Sequence, residues 1–276
     1  MTQPEFLVRI WGARGSLPAP AVRNTVFGSE TCSIEMRCGG HILIFDVGSG
    51  AEALSSYLTT NKVKDLDIFF SHCHLDHIMG LPFLKPLYDH EVAARIYAGH
   101  FEDATTCKEM VDNFMAPPYF PVTPKYFDAH IQYLDFRPPD TLDPQEGIVI
   151  ETMRLNHPNG CVGYRVRYAQ HAVCYLTDTE HVPGAPDRNI LGLIAGADLV
   201  IYDSMYTDAE YNTYVGWGHS TWQEGVRLCR AAGAKRLAVF HHDPEHDDDL
   251  LDGIAREVDK ELPGSFVAKD GLSLQL

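Results

Sequence analysis

The chain has 276 residues, 45% apolar and 22% charged, and its 22 Lys and Arg against 38 Asp and Glu leave a net charge of -16. That length fits one large α/β domain or two small ones with a sizeable core, and the composition is ordinary for a globular protein. The acidic balance argues against broad binding of nucleic acid, which needs clustered Lys and Arg; no apolar run is long enough for a bilayer, and Met1-Thr2-Gln3-Pro4-Glu5 lacks leader features, so no membrane partner and a cytoplasmic location are expected.

Phe6 to Gly12 alternates enough to be a strand, and Ala13 to Pro20 is a Gly/Pro loop. Cys32 to Arg37 and Ile42 to Phe45 flank Gly39-Gly40, the pattern of a hairpin. Asp46-Val47-Gly48-Ser49-Gly50 opens a helix that runs through Leu58. Leu66 to Phe70 reads as a short buried strand and leads into Ser71-His72-Cys73-His74-Leu75-Asp76-His77. On extended chain His72 and His74 share a side, while Asp76 and His77 fall where the chain must turn. Two imidazoles can meet at one point, and a carboxylate with a third imidazole at another, a layout for two neighbouring metal ions. A segment at about 100–145 reads as an aromatic, Pro-rich insertion around Phe114 to Pro124. It forms either a pocket wall, or a loop packed on the core or in a subunit contact.

Strands resume at Ile148 to Leu155, followed by Asn156-His157, then at Cys161 to Tyr168 and at Ala172 to Thr177, which ends at Asp178. A helical stretch from Asn189 to Ala195 precedes the strand Asp198 to Tyr202, ending at Asp203. Thr221 is the expected N-cap of a helix from Trp222 to Ala232, with Glu224 three residues on. Strand Arg236 to Phe240 ends at His241-His242, and Asp247-Asp248-Asp249 opens a last helix through Leu262, compensating its dipole. The seven cysteines are odd in number and form no CxxC pair, which excludes a disulfide framework and a thiolate knuckle. Cys174 reads as core, and Cys73 as a packing residue turned away from His72 and His74.

Five strand-like runs end in a residue able to bind a metal, namely Asp46, His72, Asp178, Asp203 and His241, and His157 follows a sixth. Turn formation explains one or two such endings, but not all. With no linker or sequence repeat, one α/β domain over 1–276 is the simplest account. Imidazole and carboxylate suit zinc, manganese and iron alike, so two divalent ions are expected and the choice among these metals stays open. Asp178, alone at a strand end, suits a bridging carboxylate.

His72-Cys73-His74-Leu75-Asp76-His77 matches the HxHxDH signature, and the chain resembles the metallo-β-lactamase fold superfamily. The resemblance implies a four-layer αβ/βα sandwich. It implies His72, His74 and His157 on one metal, Asp76, His77 and His241 on the other, Asp178 bridging, and Asp46 supporting the site. Tyr175 to Thr179, Ala197 to Asp203, and Gly218-His219-Ser220-Thr221 with Ala231 to Leu237 narrow it. They resemble the branch holding tRNA 3′-end endonucleases (tRNase Z) and small phosphodiesterases. That branch supplies one histidine after its last strand; here His241 is the expected ligand and His242 the alternative.

The resemblance implies attack of a metal-bridging hydroxide on phosphorus, with Asp76, Asp203 and His219 as catalytic residues; His219, kept cationic by Asp203, donates to the phosphate or the leaving alkoxide. A small phosphodiester such as a cyclic nucleotide is the expected substrate. The acidic charge and the absence of a long Gly- and basic-rich arm set RNA second. The alternatives are tRNA 3′-end processing, or lactone or thioester hydrolysis on the same fold. Relatives of this branch are often dimers, so a homodimer is among the expected assemblies.

Overall fold

The computed structural model describes residues 6–276, so the reading of Met1 to Glu5 lies outside the described residues. Strands β1 (Phe6–Gly12), β2 (Ser33–Cys38) and β3 (His41–Phe45) form an antiparallel meander, with Cys38 facing His41 across the Gly39-Gly40 turn. Helix α1 (Ala51–Thr60) returns the chain to β4 (Asp65–Phe70), which pairs parallel with β3. The single turn α2 (Leu75–Ile78) follows, then β5 (Ala93–Ala98), α3 (Cys107–Phe114) and β6 (His130–Asp135), with β5 and β6 extending the sheet in parallel.

A second sheet starts with β7 (Thr141–Leu142), β8 (Ile148–Leu155), β9 (Cys161–Tyr168) and β10 (His171–Leu176), all antiparallel. Helix α4 (Arg188–Leu193) leads to β11 (Leu199–Asp203), α5 (Asp208–Tyr211) and α6 (Trp222–Ala232) to β12 (Leu237–Phe240), and α7 (Asp248–Glu261) to β13 (Phe266–Val267), each strand parallel to the one before. Last, β14 (Ser273–Gln275) pairs with β1 in the first sheet. Thr221 caps α6 as expected, accepting from Glu224 N–H at 3.1 Å. In the acidic triplet only Asp247 caps α7, while Asp248 accepts from the N–H groups of Val26 and Phe27 and ties down an early loop.

The sheets run β14-β1-β2-β3-β4-β5-β6 and β13-β12-β11-β10-β9-β8-β7. From β14 in one and β7 in the other, both show three antiparallel pairings and then three parallel ones. This repetition leaves no sequence repeat, because strand sense constrains polarity and not residue identity.

Both faces of the central strands are covered, and side chains alternate accordingly. Phe45, Phe69, Tyr175, Ile201 and Phe240 point into the core shared by the sheets. Their neighbours Ile44 and Ile68 pack outward with Leu54 and Leu58 of α1 and Met110 of α3. Val200 and Val239 pack outward with Leu193, Val226 and Leu251 of α4, α6 and α7. The order of layers is therefore helix, sheet, sheet, helix, the expected four-layer αβ/βα sandwich. Among the described residues no helix is long and apolar enough to cross a membrane.

The 100–145 segment is less separate than its composition implied. It supplies α3, and β6 and β7 become an edge strand of each sheet. The proline-rich stretch from Met115 to Ala129 keeps to turns and one short 3-10 helix.

Candidate metal centre

The carboxyl ends of β3, β4, β8, β10, β11 and β12 lie along one edge of the sandwich, where strand sense changes and crevices form. Asp46 and Asp178 leave the equivalent strands β3 and β10, and His241 leaves β12. All three carry left-handed backbone, with φ of 58°, 51° and 62°. Such backbone costs roughly 1–3 kcal/mol per residue and is kept where the surroundings enforce it. Here it swings each side chain off the strand direction towards the crevice.

Asp178 stands at the middle of the cluster. Its Oδ1 lies 3.7 Å from His72 Nε2 and 3.6 Å from His157 Nε2. Its Oδ2 lies 3.1 Å from His77 Nε2 and 3.2 Å from His241 Nε2. One carboxylate thus faces two imidazole groups with separate oxygens. His74 completes the first group, its Nδ1 3.1 Å from His157 Nε2. Asp76 completes the second, its Oδ2 3.2 Å from His77 Nε2 and 3.3 Å from His241 Nε2. Every residue expected as a ligand is brought into this cluster. The choice between neighbours is geometric: His241 turns inwards, whereas His242 is buried with its Nε2 2.8 Å from the carbonyl of Ala268.

Hydrogen bonds from behind orient the rings. His77 Nδ1 donates to Asp46 Oδ2 at 2.8 Å and His157 Nδ1 to the Gly218 carbonyl at 2.8 Å, which turns both Nε2 atoms towards the cluster. Asp46 also accepts from Ser71 N, Ser71 Oγ and Tyr175 OH, so it is held from four sides. Asp76 accepts from Ser16 N–H in the loop after β1. Gly15 in that loop must lack a side chain, since a Cβ would lie 2.4 Å from His241 Nδ1 and 2.5 Å from Met205 Cε.

The electrostatics fit a cation. Burial opposes ionisation of Asp178, but His241, His77 and His72 hold it well below the usual carboxylate range. Asp76 is likewise held low, against its burial, by His77 and His241. Burial lowers His72, His74 and His157, which therefore offer neutral lone pairs. His77 and His241 are raised despite burial, chiefly by Asp76 and by Asp178 respectively, so protons sit where a divalent ion would displace them. The Nε2 atoms of His72 and His77 are buried with no hydrogen-bond partner. Buried polar atoms are rarely left so, and the donor set suits divalent ions.

His219 borders the cluster. Its Nδ1 lies 2.9 Å from Asp203 Oδ2 and 3.8 Å from Asp178 Oδ1, and its ring stacks on His241 at 5.0 Å. Asp203 is fixed by the N–H groups of Thr179 and Met205.

Some neighbours escaped the sequence reading. Cys32 is buried with its sulfur grouped with the donor atoms of Asp76, His77 and His241. No second cysteine at ligand spacing marks it in the sequence. Ser71 and Tyr175 act on Asp46 from positions that read only as strand residues. Cys73 faces away from the cluster but is exposed and lines a cavity, so it is not the packing residue expected.

The profile of the beta-lactamase superfamily domain matches residues 44–242. Ribonuclease Z of Treponema denticola is 20% identical, with 97% of each chain covered. Among solved structures, the metallo-β-lactamase fold protein YhfI from Bacillus subtilis has a TM-score of 0.75 at 22% identity, covering 99% of this chain and 100% of that one. A diphosphatase from the PhnP family has a TM-score of 0.72 at 17% identity, covering 99% and 97%. The chain belongs to the β-lactamase superfamily and is a metal-dependent hydrolase of the metallo-β-lactamase fold.

Proposed function

We propose that the protein hydrolyses phosphodiesters and that its natural substrate is a small one such as a cyclic nucleotide. The Asp203–His219 pair carries this reading, because it sets an imidazole oriented by a carboxylate beside two donor groups, His72 with His74 and His157, and Asp76 with His77 and His241, that are complete without it, although His219 also lies within reach of Asp178 and His241. In this reading His72, His74 and His157 would hold one ion and Asp76, His77 and His241 the other, with Asp178, whose two oxygens face both groups, serving both. Zinc fits these donors, as do manganese and iron. When bound, the two ions would supply an activated nucleophile and positive charge for the phosphate oxygens.

The chain's own residues set the rest. Asp46 and the Gly218 carbonyl hold His77 and His157 in the tautomers that present Nε2. Asp203 receives Nδ1–H of His219, so a protonated His219 presents Nε2–H to a phosphate oxygen or to the departing alkoxide. The donors come from both sheets, and we take the chain as one functional unit.

The net charge of -16 and the lack of a long basic arm support a small substrate, as does likeness to a diphosphatase. The second reading, tRNA 3′-end processing, is favoured by the Ribonuclease Z relatives, at 20–23% identity for the first two. Protein loaded in parallel with zinc, manganese or iron is offered bis(p-nitrophenyl) phosphate, cyclic nucleotides and precursor tRNA. Opening of a cyclic nucleotide is the expected result. Cleavage of precursor tRNA at its 3′ end, with cyclic nucleotides untouched, replaces this reading by the second. No turnover of any of them sinks both.

A further inference from the structure

Glu180 stands two residues after Asp178 and is half-buried. Its N–H donates to the Asn156 carbonyl at 2.8 Å, and Asn156 Nδ2 donates back to the Glu180 carbonyl at 2.9 Å. This reciprocal pair fastens the turn after β10, which carries Asp178, to the turn after β8, which carries His157. The Glu180 side chain reaches a third segment. Its Oε2 accepts from the N–H groups of Gly216 and Gly218, both at 2.8 Å. Bonds from backbone N–H to a carboxylate are charge-assisted and among the stronger ones in proteins.

That third segment has little else to hold it. Gly216 and Gly218 carry left-handed backbone, with φ of 93° and 86°, and Trp217 between them is 63% exposed. Glycine loses the most conformational freedom on folding, and an exposed tip gains little from burial to offset that loss. Among the described residues neither glycine N–H has another acceptor. Yet the segment lies directly on the donor cluster. A Cβ on Gly218 would be 2.4 Å from His157 Nδ1, the Gly218 carbonyl takes that Nδ1–H at 2.8 Å, and His219 comes next in the chain.

We propose that Glu180 is a positioning residue whose carboxylate latches the Gly216–Gly218 loop onto the turns that carry Asp178 and His157. One side chain then sets both the aim of His157 Nε2 at its ion and the place of His219 beside Asp178. The first effect rests on the donor assignment, and the second on the phosphodiester reading.

Wild type, Glu180→Ala and Glu180→Gln are compared in four measurements. Proton NMR of the zinc-loaded proteins follows exchange of the His157 Nδ1 proton, chelator competition gives zinc affinity, bis(p-nitrophenyl) phosphate at full zinc stoichiometry gives kcat and KM, and thermal melting gives stability. Wild type is expected to hold the Nδ1 proton against exchange. In Glu180→Ala that proton exchanges rapidly, and zinc affinity falls about tenfold or more, as for other lost ligand supports. Its kcat falls about tenfold or more through misplacement of His219, with a smaller change in KM. Glu180→Gln offers an uncharged oxygen to the same two N–H groups, so it recovers part of each loss. Wild-type exchange, affinity and kcat in Glu180→Ala overturn the assignment. A lowered melting temperature with those three unchanged does so too, since Glu180 would then serve stability alone. If Glu180→Ala does not fold, Glu180→Gln decides: faster exchange than wild type supports the latch, and exchange as slow as wild type overturns it. Absence of turnover in wild type on every phosphodiester, precursor tRNA included, overturns the phosphodiester reading and the effect on His219, while exchange and affinity still judge the effect on His157.

Discussion

Replacing Asp46 with Asn asks whether one buried carboxylate sets the tautomer of His77. Asp46 is fully buried and receives Ser71 N–H on Oδ1 at 2.7 Å. On Oδ2 it receives Ser71 Oγ at 2.7 Å, Tyr175 OH at 2.8 Å and His77 Nδ1 at 2.8 Å. Asn keeps the shape and tolerates the left-handed backbone. Its Oδ1 still accepts from Ser71 N–H, but in place of Oδ2 it presents two N–H donors to three groups. The two hydroxyls can turn to accept. His77 can accept only by moving its proton from Nδ1 to Nε2, the atom aimed at Asp76 and Asp178. Either a donor is left facing a donor, at about 1–3 kcal/mol, or His77 is blocked as a ligand. Loss of such a support is worth roughly 10–100-fold in metal affinity. Chelator-competition titration with zinc measures the affinity, and nitrogen-15 NMR of His77 reports which ring nitrogen carries the proton. Wild-type affinity at full stoichiometry, with His77 still protonated on Nδ1, would refute the reasoning.

Gly15→Ala places a Cβ against His241 Nδ1 and Met205 Cε, so metal occupancy under limiting zinc is expected to fall at least about tenfold in affinity, as for other displaced ligand supports; unchanged occupancy would mean that His241 has room to yield. His219→Ala is expected to slow phosphodiester turnover by roughly 10²–10⁴-fold at full metal stoichiometry. A rate like wild type would point to a bond that needs no acid, such as a lactone or thioester. Asp270 is half-buried, with Oδ2 taking the N–H groups of Ser29 and Glu30 and Oδ1 left without a partner; burial first, and Glu30 next, raise its pKa to about 6. The folded state then holds this proton more tightly than the unfolded chain, so the contribution to stability is present in acid and is lost as pH rises from about 4 through about 6. Relative to Asp270→Asn, which does not titrate, wild type should lose about 2 kcal/mol of unfolding free energy across that window. Parallel urea curves for the two proteins at pH 4 and pH 7 would rule this out.

The legible parts of the sequence are those where neighbours in the chain are neighbours in space. His72, His74, Asp76 and His77 could be read together because strand alternation and one turn place them within a few ångströms. The hairpin at Gly39-Gly40 and the cap at Thr221 are local in the same way. Less legible were β5, β6 and β7, whose mixed polar sequence lacks a clear period because two of them are sheet edges. The aromatic segment between them therefore looked detached.

The residue types at the strand ends are a property of the sequence alone: the candidate donors Asp46, His157, Asp178, Asp203 and His241 are all visible there. Their meeting is a tertiary fact. Asp178 joins residues 72 to 241 only because two sheets, each changing sense at its middle strand, face each other across one core. The tertiary structure also sets His241 and His242 apart, since a left-handed turn at His241 sends its ring inwards and gives His242 to Ala268. It alone revealed Cys32 beside the donors. A side chain's type is written in the chain, but its hydrogen-bond partners depend on contacts between residues far apart in sequence, which no local pattern encodes.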